Sequence, residues 1–282
     1  MGQLIDGKAI AKKINDQTAA RVAALKQKGV APKLAVVLVG EDPASRTYVR
    51  NKGKAAAQVG LEFALHEIDG SISTGDLLEK VLEMQQDEAL SGLIVQLPLP
   101  DHVDTDAILN VIDPKLDVDC LTDVNIGKLM MKTSTIVPPT PGAVMSILGE
   151  LKVDVVGKNV TIIGVGPLVG KPLAIMLMNA RASVTTCNSK TRDTKEKCLA
   201  ADIIVTGVGK KDVLRGDMVR SGAIVIDTGV DFVDGKMCGD VNVAEVIAKA
   251  DYVTPTPGGV GPITVARLLW NTILCAETRY DK

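Results

Sequence analysis

The first half of the chain alternates between helical and strand patterns of apolar residues. Residues 6 to 28 carry apolar side chains at helical spacing, and the run KLAVVLVG that follows predicts a short buried strand. Further helices are predicted at 43 to 59 and 73 to 87, and further strands at LEFALHEI and SGLIVQLPLP. This alternation predicts a parallel or mostly parallel sheet with helices on its faces.

The second half repeats the alternation with runs that are almost continuously apolar, such as GAIVID, as expected for strands covered on both faces. Strands are predicted near 160 to 163, 183 to 187, 202 to 205, 223 to 227 and 251 to 253. The proline-rich segment TIVPPTPGAVMSIL between the halves suits a domain crossing near residue 140. We therefore predict two α/β domains with mostly parallel sheets. The last helix could cap the second sheet or cross back to the first domain.

Composition narrows the function to small-molecule chemistry. The chain has 282 residues, 46% of them hydrophobic, which is enough for two domains with cores of their own. Its 32 basic and 34 acidic residues give a net charge of -2 without long runs of one sign, which argues against nucleic acid and anionic membranes as partners. No apolar run approaches the roughly 18 residues of a membrane helix, and the N-terminal segment lacks the apolar core of an export signal.

Neither a metal site nor a disulfide framework is predicted. The five cysteines are scattered without a CxxC pair, and the chain has two histidines. Asp117, Asp119 and Asp123 share a loop, but they lack a clean ligand spacing. These features favour a metal-free protein of the reducing cytoplasm.

The segment GKNVTIIGVGPLVGKPLAIMLMNA, residues 157 to 180, predicts a strand, a glycine turn and a helix. Gly164, Gly166 and Gly170 would let the backbone approach a pyrophosphate, which the N-terminus of the helix would then bind. The spacing GxGxxxG departs from the stricter GxGxxG, and a tight turn without a ligand is the alternative. The surrounding strand and helix favour a dinucleotide site.

The loop after the next predicted strand favours NADP over NAD. In dinucleotide folds this position meets the adenosine ribose, where an acid favours NAD and a basic or hydroxyl group favours a 2'-phosphate. The loop here is NSKTRD, with Ser189, Lys190, Thr191 and Arg192 before the first acid, Asp193. An ordinary solvated loop is the alternative interpretation.

Four further segments carry residues suited to chemistry. Tyr48 and Lys52 lie four residues apart in DPASRTYVRNKGKAA, and so on one face of a helix. Gln96 ends the strand GLIVQLPLP, at the edge where parallel sheets bind ligands. Asp119 lies in IDPKLDVDCLTDVNIGKL, and TPTPGGVGPITVARLL contains a constrained proline-glycine turn.

In this order the four segments resemble the Tyr-x-x-x-Lys, VQLPLP, DVDG and PGGVGPxT patterns of the bifunctional methylenetetrahydrofolate dehydrogenase/cyclohydrolase (FolD) family. The likeness runs from LIDGKAIAKKI to RLLWNTI. It implies oxidation of 5,10-methylenetetrahydrofolate with NADP+ and hydrolysis of the methenyl product to 10-formyltetrahydrofolate. It also implies a folate-binding domain (1 to 139), to which the helix 263 to 282 returns, and a Rossmann-type domain (140 to 262). The active site would lie in a cleft between the two domains, and the protein would be a homodimer.

The resemblance also implies roles for individual residues. Lys52 would be the catalytic lysine, Tyr48 would stack on the folate, Gln96 would orient the lysine, and Asp119 would bind the pterin. The other substrate-binding positions would be Leu97, Pro98, Pro257, Gly258, Gly259, Val260 and Gly261. The cofactor-binding positions would be Gly164, Val165, Gly166, Gly170, Ser189, Lys190, Thr191 and Arg192.

The chain departs from the family pattern at several positions. Cys120 replaces the glycine of DVDG, Leu116 stands where lysine is usual, and Pro139 replaces a cysteine. Val165 replaces the arginine of a Gly-Arg-Ser turn, and Asn188 replaces a histidine. Since that arginine would meet the 2'-phosphate, NADP is expected with a weakened preference, and NAD is possible.

Two other functions compete with this one. Another two-domain NAD(P)-dependent dehydrogenase, of the shikimate or amino-acid type, would explain residues 141 to 266 but not Tyr48, Gln96 and Asp119. A catalytically silent dinucleotide-binding relative would have no need of Lys52, which is present.

Overall fold

The computed structural model describes residues 2–280. Its strands are β1 (Gln3–Leu4), β2 (Lys33–Val39), β3 (Glu62–Ile68), β4 (Leu90–Val95), β5 (Asn159–Ile163), β6 (Ser183–Cys187), β7 (Ile203–Thr206), β8 (Ile224–Asp227), β9 (Asp231–Val233), β10 (Lys236–Cys238) and β11 (Tyr252–Val253). Its α-helices are α1 (Gly7–Gln27), α2 (Pro43–Gln58), α3 (Thr74–Met84), α4 (Thr105–Asn110), α5 (Asp123–Met130), α6 (Pro139–Glu150), α7 (Gly170–Asn179), α8 (Thr194–Leu199), α9 (Val243–Val246) and α10 (Val260–Tyr280).

The chain divides into two compact units, each with its own sheet. The three-stranded unit comprises Lys13–Val137 and residues 265–280. The six-stranded unit comprises residues 2–12 together with Pro138–Thr264. Helices α1 and α10 each contribute residues to both units.

The three-stranded unit has a parallel sheet in the order β3-β2-β4. Successive side chains of a strand point to opposite faces, so β2 serves two cores. Leu34, Val36 and Leu38 pack with residues of α1, α2 and α10, whereas Ala35 and Val37 pack with residues of α3 and α4. Because both faces are covered, the strand is apolar at nearly every position.

The C-terminal part of α10 is anchored in the three-stranded unit. Leu268, Leu269 and Ile273 belong to the same core cluster as Leu34 of β2. The buried Asn271 donates from Nδ2 to the carbonyl oxygens of Val118 at 2.8 Å and Val137 at 2.7 Å. The apolar and polar contacts together fix the position of the helix beside the loop that carries Asp119.

The six-stranded unit has a sheet in the order β1-β11-β8-β7-β5-β6, with every pair parallel. After β6 the chain returns to the other side of β5 to form β7, so the order reverses between β5 and β7. In such sheets this reversal opens a crevice at the carboxyl ends of the two strands. Strands β9 and β10 form a separate antiparallel hairpin.

Residues 2–12 group with the six-stranded unit. Gln3 pairs with Tyr252 and Leu4 with Val253, and Ile5 N donates to Val253 O at 2.9 Å. These bonds occupy the edge of β11, whose backbone groups would otherwise need other partners. A two-residue strand is too short to produce a periodic pattern, so the sequence does not reveal it.

The predicted fold class, two α/β domains with mostly parallel sheets, is confirmed. Among the helices of residues 2–280, none combines the length and the apolar character needed to cross a membrane.

Candidate active site

Lys52 and Gln96 are brought together in the three-stranded unit. Lys52 lies on α2, whose start is fixed by Asp42 accepting from Ser45 N at 2.7 Å. Gln96 follows β4, and its backbone N extends the sheet by donating to Val37 O at 2.8 Å. Lys52 Nζ donates to Gln96 Oε1 at 3.0 Å.

The Gln96 side chain is oriented from both ends. Its Nε2 donates to Leu97 O at 2.6 Å, so its Oε1 is left to accept from the lysine. The Leu97–Pro98 peptide bond is cis, with Leu97 half-buried and Pro98 exposed. The arrangement fixes one acceptor, Gln96 Oε1, on the Lys52 amine.

Burial lowers the pKa of the Lys52 ammonium, and the negative charge of Asp119 partly opposes that shift. The pKa of Asp119 is raised, first because of burial, while the positive charge of Lys52 acts to lower it. The two residues are therefore close enough to influence each other. A lowered pKa increases the fraction of Lys52 that is a neutral amine, the form able to act as a base.

Tyr48 lies one turn before Lys52 on α2 and is half-buried. Burial raises the pKa of its phenol, which keeps the hydroxyl protonated at neutral pH. The helix thus presents an aromatic ring beside the lysine.

Asp117 holds the loop that carries Asp119. The buried Asp117 carboxylate accepts from Leu121 N at 3.0 Å, Thr122 N at 2.9 Å, Thr122 Oγ1 at 2.8 Å and Asn125 Nδ2 at 2.9 Å. Thr122 in turn caps α5 by accepting from Asn125 N at 3.2 Å. Asp117 is therefore a structural carboxylate, which spacing alone does not distinguish from Asp119.

Two residues that depart from the family pattern, Cys120 and Leu116, lie near this loop and are buried. Cys120 is buried with φ of 57°, a left-handed conformation that favours glycine, the residue usual in the family pattern. Burial raises the pKa of its thiol to about 12, so the side chain is a neutral packing group. Leu116 is also buried and belongs to the core cluster of β4 and α4.

In the six-stranded unit the predicted glycine turn connects β5 to α7. A side chain on Gly164 would place Cβ 2.4 Å from Gly207 O, and Gly164 has φ of 103°. A Cβ on Gly170 would lie 1.9 Å from Gly164 O, whereas one on Gly166 would meet nothing within 4 Å. Gly164 and Gly170 are therefore required for close packing, and Gly166 borders open space. Val165 is half-buried between them.

The loop after β6 is closed by its own side chains. Asn188 N donates to Thr191 Oγ1 at 2.9 Å, and Lys190 N donates to Asn188 Oδ1 at 2.9 Å. Thr191 is half-buried, while Ser189, Lys190 and Arg192 are exposed. Asn188, which replaces a histidine of the family pattern, thus has a structural part in shaping a basic, exposed loop.

The proline-glycine turn before α10 also depends on close backbone packing. The Thr256–Pro257 peptide bond is cis, and Gly258 has φ of 100°. A Cβ on Gly259 would lie 2.5 Å from Pro255 O, and one on Gly7 would lie 1.7 Å from Gly259 O. Helix α10 then begins at Val260, and Gly261 is exposed. The contact with Gly7 was missed because the two glycines are far apart in sequence.

Nowhere in residues 2–280 do three or more His, Cys, Asp or Glu side chains form a group able to hold a metal ion. The arrangement in the three-stranded unit brings together a lysine, an amide and a carboxylate, which are groups suited to acid-base chemistry.

Two family profiles match the chain. The profile described as "Tetrahydrofolate dehydrogenase/cyclohydrolase, catalytic domain" matches residues 5–119, and "Tetrahydrofolate dehydrogenase/cyclohydrolase, NAD(P)-binding domain" matches residues 138–280. The chain belongs to the tetrahydrofolate dehydrogenase/cyclohydrolase family. The resemblance inferred from the four ordered motifs is confirmed.

Similar proteins span the whole chain. The bifunctional protein FolD of Campylobacter concisus is 46% identical over 281 residues, which cover 99% of this chain and 99% of that protein. The crystal structure of FolD from Campylobacter jejuni has a TM-score of 0.97 at 41% identity, covering 99% of this chain and 100% of that one. The Trypanosoma brucei FolD, solved with NADP cofactor and an inhibitor, has a TM-score of 0.94 at 38% identity, covering 98% of each chain.

The shikimate-type alternative is not favoured. The shikimate dehydrogenase of Aquifex aeolicus covers 89% of this chain with a TM-score of 0.52, but at 15% identity it shares the fold alone. The similarity between the shikimate dehydrogenase and this chain is therefore one of fold.

Proposed function

We propose that the chain oxidises 5,10-methylenetetrahydrofolate to 5,10-methenyltetrahydrofolate with NADP+ and hydrolyses the product to 10-formyltetrahydrofolate. It is thus an oxidoreductase and a hydrolase of one-carbon metabolism, as its membership of the family implies. The observation that carries the assignment of residues is the hydrogen bond from Lys52 to Gln96. Burial lowers the pKa of the same amine, and the charge of Asp119 partly opposes that shift.

The dehydrogenase step needs little acid-base help. The substrate carries a CH2 group between two nitrogens, whose lone pairs can expel a hydride to the nicotinamide and leave a delocalised methenyl cation. No proton has to move. The protein therefore contributes mainly by holding substrate and nucleotide in position.

The cyclohydrolase step needs proton transfer. Water adds to the methenyl cation, and the resulting intermediate opens when its ring nitrogen is protonated. A neutral Lys52 can take one proton from the attacking water and return it to the leaving nitrogen, while the hydroxyl proton of the intermediate is released to solvent as the formyl C=O forms. The substrate cation would lower the pKa of Lys52 further, in the same direction as burial. Gln96 accepts from the amine and so fixes where it points.

Asp119 would bind the pterin. The aminopyrimidinone edge of a pterin presents two adjacent N–H donors, and a carboxylate is a natural bidentate acceptor for them. Tyr48 would stack on the folate from α2. Leu97, Pro98 and the segment from Pro257 to Gly261 would complete the substrate contacts.

NADP would bind at the turn formed by Gly164, Val165, Gly166 and Gly170. The exposed loop from Ser189 to Arg192 would supply hydroxyl and basic groups to the 2'-phosphate. Val165 offers no guanidinium for bidentate binding of that phosphate. A preference for NADP over NAD is therefore expected, but a weaker one than an arginine at this position would give.

We further propose that residues 13–137 and 265–280 form the folate-binding domain and that residues 2–12 and 138–264 form the nucleotide domain. We also propose that the protein is a homodimer through its nucleotide domains. Exposed apolar side chains in or beside the β9–β10 hairpin, at Val230, Phe232 and Val233, support the dimer. Five free thiols suit the cytoplasm, where the product would serve pathways such as purine biosynthesis.

Two assays on the purified protein test the activity. NADPH formation from methylenetetrahydrofolate measures the dehydrogenase, and loss of methenyltetrahydrofolate absorbance, corrected for the uncatalysed rate, measures the cyclohydrolase. Both should be present. Absence of turnover in both assays would contradict the proposal, and NAD giving the higher kcat/KM would contradict the argument from the basic loop.

A further inference from the structure

Asp240 is a fully buried carboxylate in the six-stranded unit, with 0% of its surface exposed. It follows the hairpin strand β10, and no pattern in the sequence draws attention to it. Its Oδ2 accepts from Val208 N at 2.6 Å, and its Oδ1 accepts from Lys210 N at 2.8 Å. Both oxygens are thus committed to the backbone of the loop that follows β7.

That loop supports the glycine turn. A Cβ added to Gly164 would lie 2.4 Å from Gly207 O and 3.3 Å from Val208 Cγ2, and one added to Gly207 would lie 3.7 Å from Val169 Cγ1. The loops after β5 and β7 are therefore in contact at both ends of the turn. They also flank the reversal in strand order, the place where parallel sheets bind nucleotides.

A second buried carboxylate supports the first. Asp227, the last residue of β8, accepts from Gly229 N at 2.9 Å and Val241 N at 3.0 Å. A Cβ on Gly229 would lie 2.1 Å from Asp240 Oδ1, so the Asp240 carboxylate packs directly against this backbone. The loops after β7, β8 and β10 are held as one block.

The two carboxylates are stabilised by N–H and hydroxyl donors. No ion pair involves either residue in the part of the chain that the structure describes. A buried charge is costly unless it is fully hydrogen-bonded, and charge-assisted bonds to backbone N–H groups are strong ones. These hydrogen bonds tie each carboxylate to the backbone of the loops around it.

We propose that Asp240 is a positioning residue for the dehydrogenase: by holding Val208 and Lys210 it keeps the loop after β7 pressed against the glycine turn that receives NADP. The inference rests on the proposed function for its cofactor. Asp240 acts through the loop, and the cyclohydrolase step, which uses no nucleotide, does not depend on it.

Asp240→Asn tests the proposal because it keeps the shape of the side chain but turns an NH2 group toward one of the two backbone donors. We expect the KM for NADP+ to rise on the order of tenfold or more, the effect of losing one charge-assisted bond. The kcat at saturating NADP+ and the cyclohydrolase rate should each stay within about threefold of the parent, since the folate-binding groups are untouched.

Asp231→Asn is the matched control. Asp231 also accepts from this loop, at Lys211 N, but with a longer bond of 3.2 Å and in a half-buried position. Its replacement should change the KM for NADP+ by less than about twofold. Gly229→Ala is the second test, because the new methyl group would displace the Asp240 carboxylate without changing any charge. Gly229→Ala should reproduce the rise in the KM for NADP+. If the Asp240→Asn variant does not fold, the KM of Gly229→Ala tests the positioning role of Asp240 instead.

The outcomes separate this inference from the proposed function. A parent protein without dehydrogenase activity would refute the function itself. An active parent whose Asp240→Asn variant keeps its KM for NADP+, or loses both activities alike, would overturn the positioning role alone.

Discussion

The two proposed sites differ in the groups that would bind the ligands, which are side chains in the three-stranded unit and backbone in the six-stranded unit. The three-stranded unit presents side chains, with the Lys52 amine bonded to Gln96 and lying near Asp119. The six-stranded unit presents backbone, shaped by glycines that permit close contacts and by a buried Asp240 that fixes a loop. Where side chains perform the chemistry, replacing one of them changes that chemistry directly. Where the backbone binds the ligand, binding is lost when a residue that shapes the backbone is replaced, even if that residue never touches the ligand.

The largest effect is expected for Lys52→Met. General acid-base groups typically contribute 10²- to 10⁴-fold, so the cyclohydrolase should fall on the order of a hundredfold or more. The dehydrogenase should fall much less, because hydride transfer moves no proton. The paired assays above measure both rates, and equal losses would mean that Lys52 mainly positions the substrate.

Adding Gln96→Ala to Lys52→Met sharpens this result. If Gln96 acts by orienting the amine, the second change should cost the cyclohydrolase little more, since residues that act as a unit are non-additive. A further large loss in the double variant would assign Gln96 an independent role.

Asp119→Asn is expected to raise the KM for folate in both activities, by about tenfold to a hundredfold, through loss of charge-assisted bonds to the pterin. It should also change the pH profile. The Asp119 charge acts to raise the pKa of Lys52, so its removal lowers that pKa further. If the neutral amine acts as the base, as proposed above, the rise of cyclohydrolase kcat with pH should move to lower pH. A shift to higher pH, or none, would contradict the coupling.

Val165→Arg should have a moderate effect, in the six-stranded unit. An arginine here could pair bidentately with the 2'-phosphate, which NAD lacks. We expect the ratio of kcat/KM for NADP+ to that for NAD+ to rise about tenfold. Val165→Lys is the matched control for charge alone and should give a smaller rise. No change in either variant would mean that the turn does not face the adenosine.

The smallest effect concerns Cys120. Cys120→Gly and Cys120→Ala both remove the buried sulfur, but only glycine relieves the left-handed backbone at φ of 57°. The glycine variant should therefore be more stable than the alanine variant by about 1 kcal/mol, as measured by denaturant unfolding. An alanine variant of equal or higher stability would contradict the assignment of strain.

Much of the fold follows from local pattern, because runs such as LAVVLV in β2 are buried on both faces. The two-residue strand β1 does not follow from local pattern, because it is a strand only through its pairing with β11. The pairing of Gln96 with Lys52 was predicted from the resemblance to the family, and the hydrogen bond between them agrees with it, whereas their catalytic roles stay predictions. Asp240 was not predicted, because its partners at Val208 and Lys210 lie about thirty residues away and an isolated aspartate in a loop looks like any other. The hydrogen bonds of Asp117 mark it as structural, and the sequence does not show them.

The most direct test of the difference between the units is a crossed measurement on Lys52→Met and Asp240→Asn. For each variant, the cyclohydrolase rate and the KM for NADP+ are determined beside the parent. We predict that Lys52→Met loses the cyclohydrolase activity and keeps the KM for NADP+ of the parent. Asp240→Asn should keep the cyclohydrolase activity and lose affinity for NADP+. Parallel changes of both quantities in both variants would contradict this prediction.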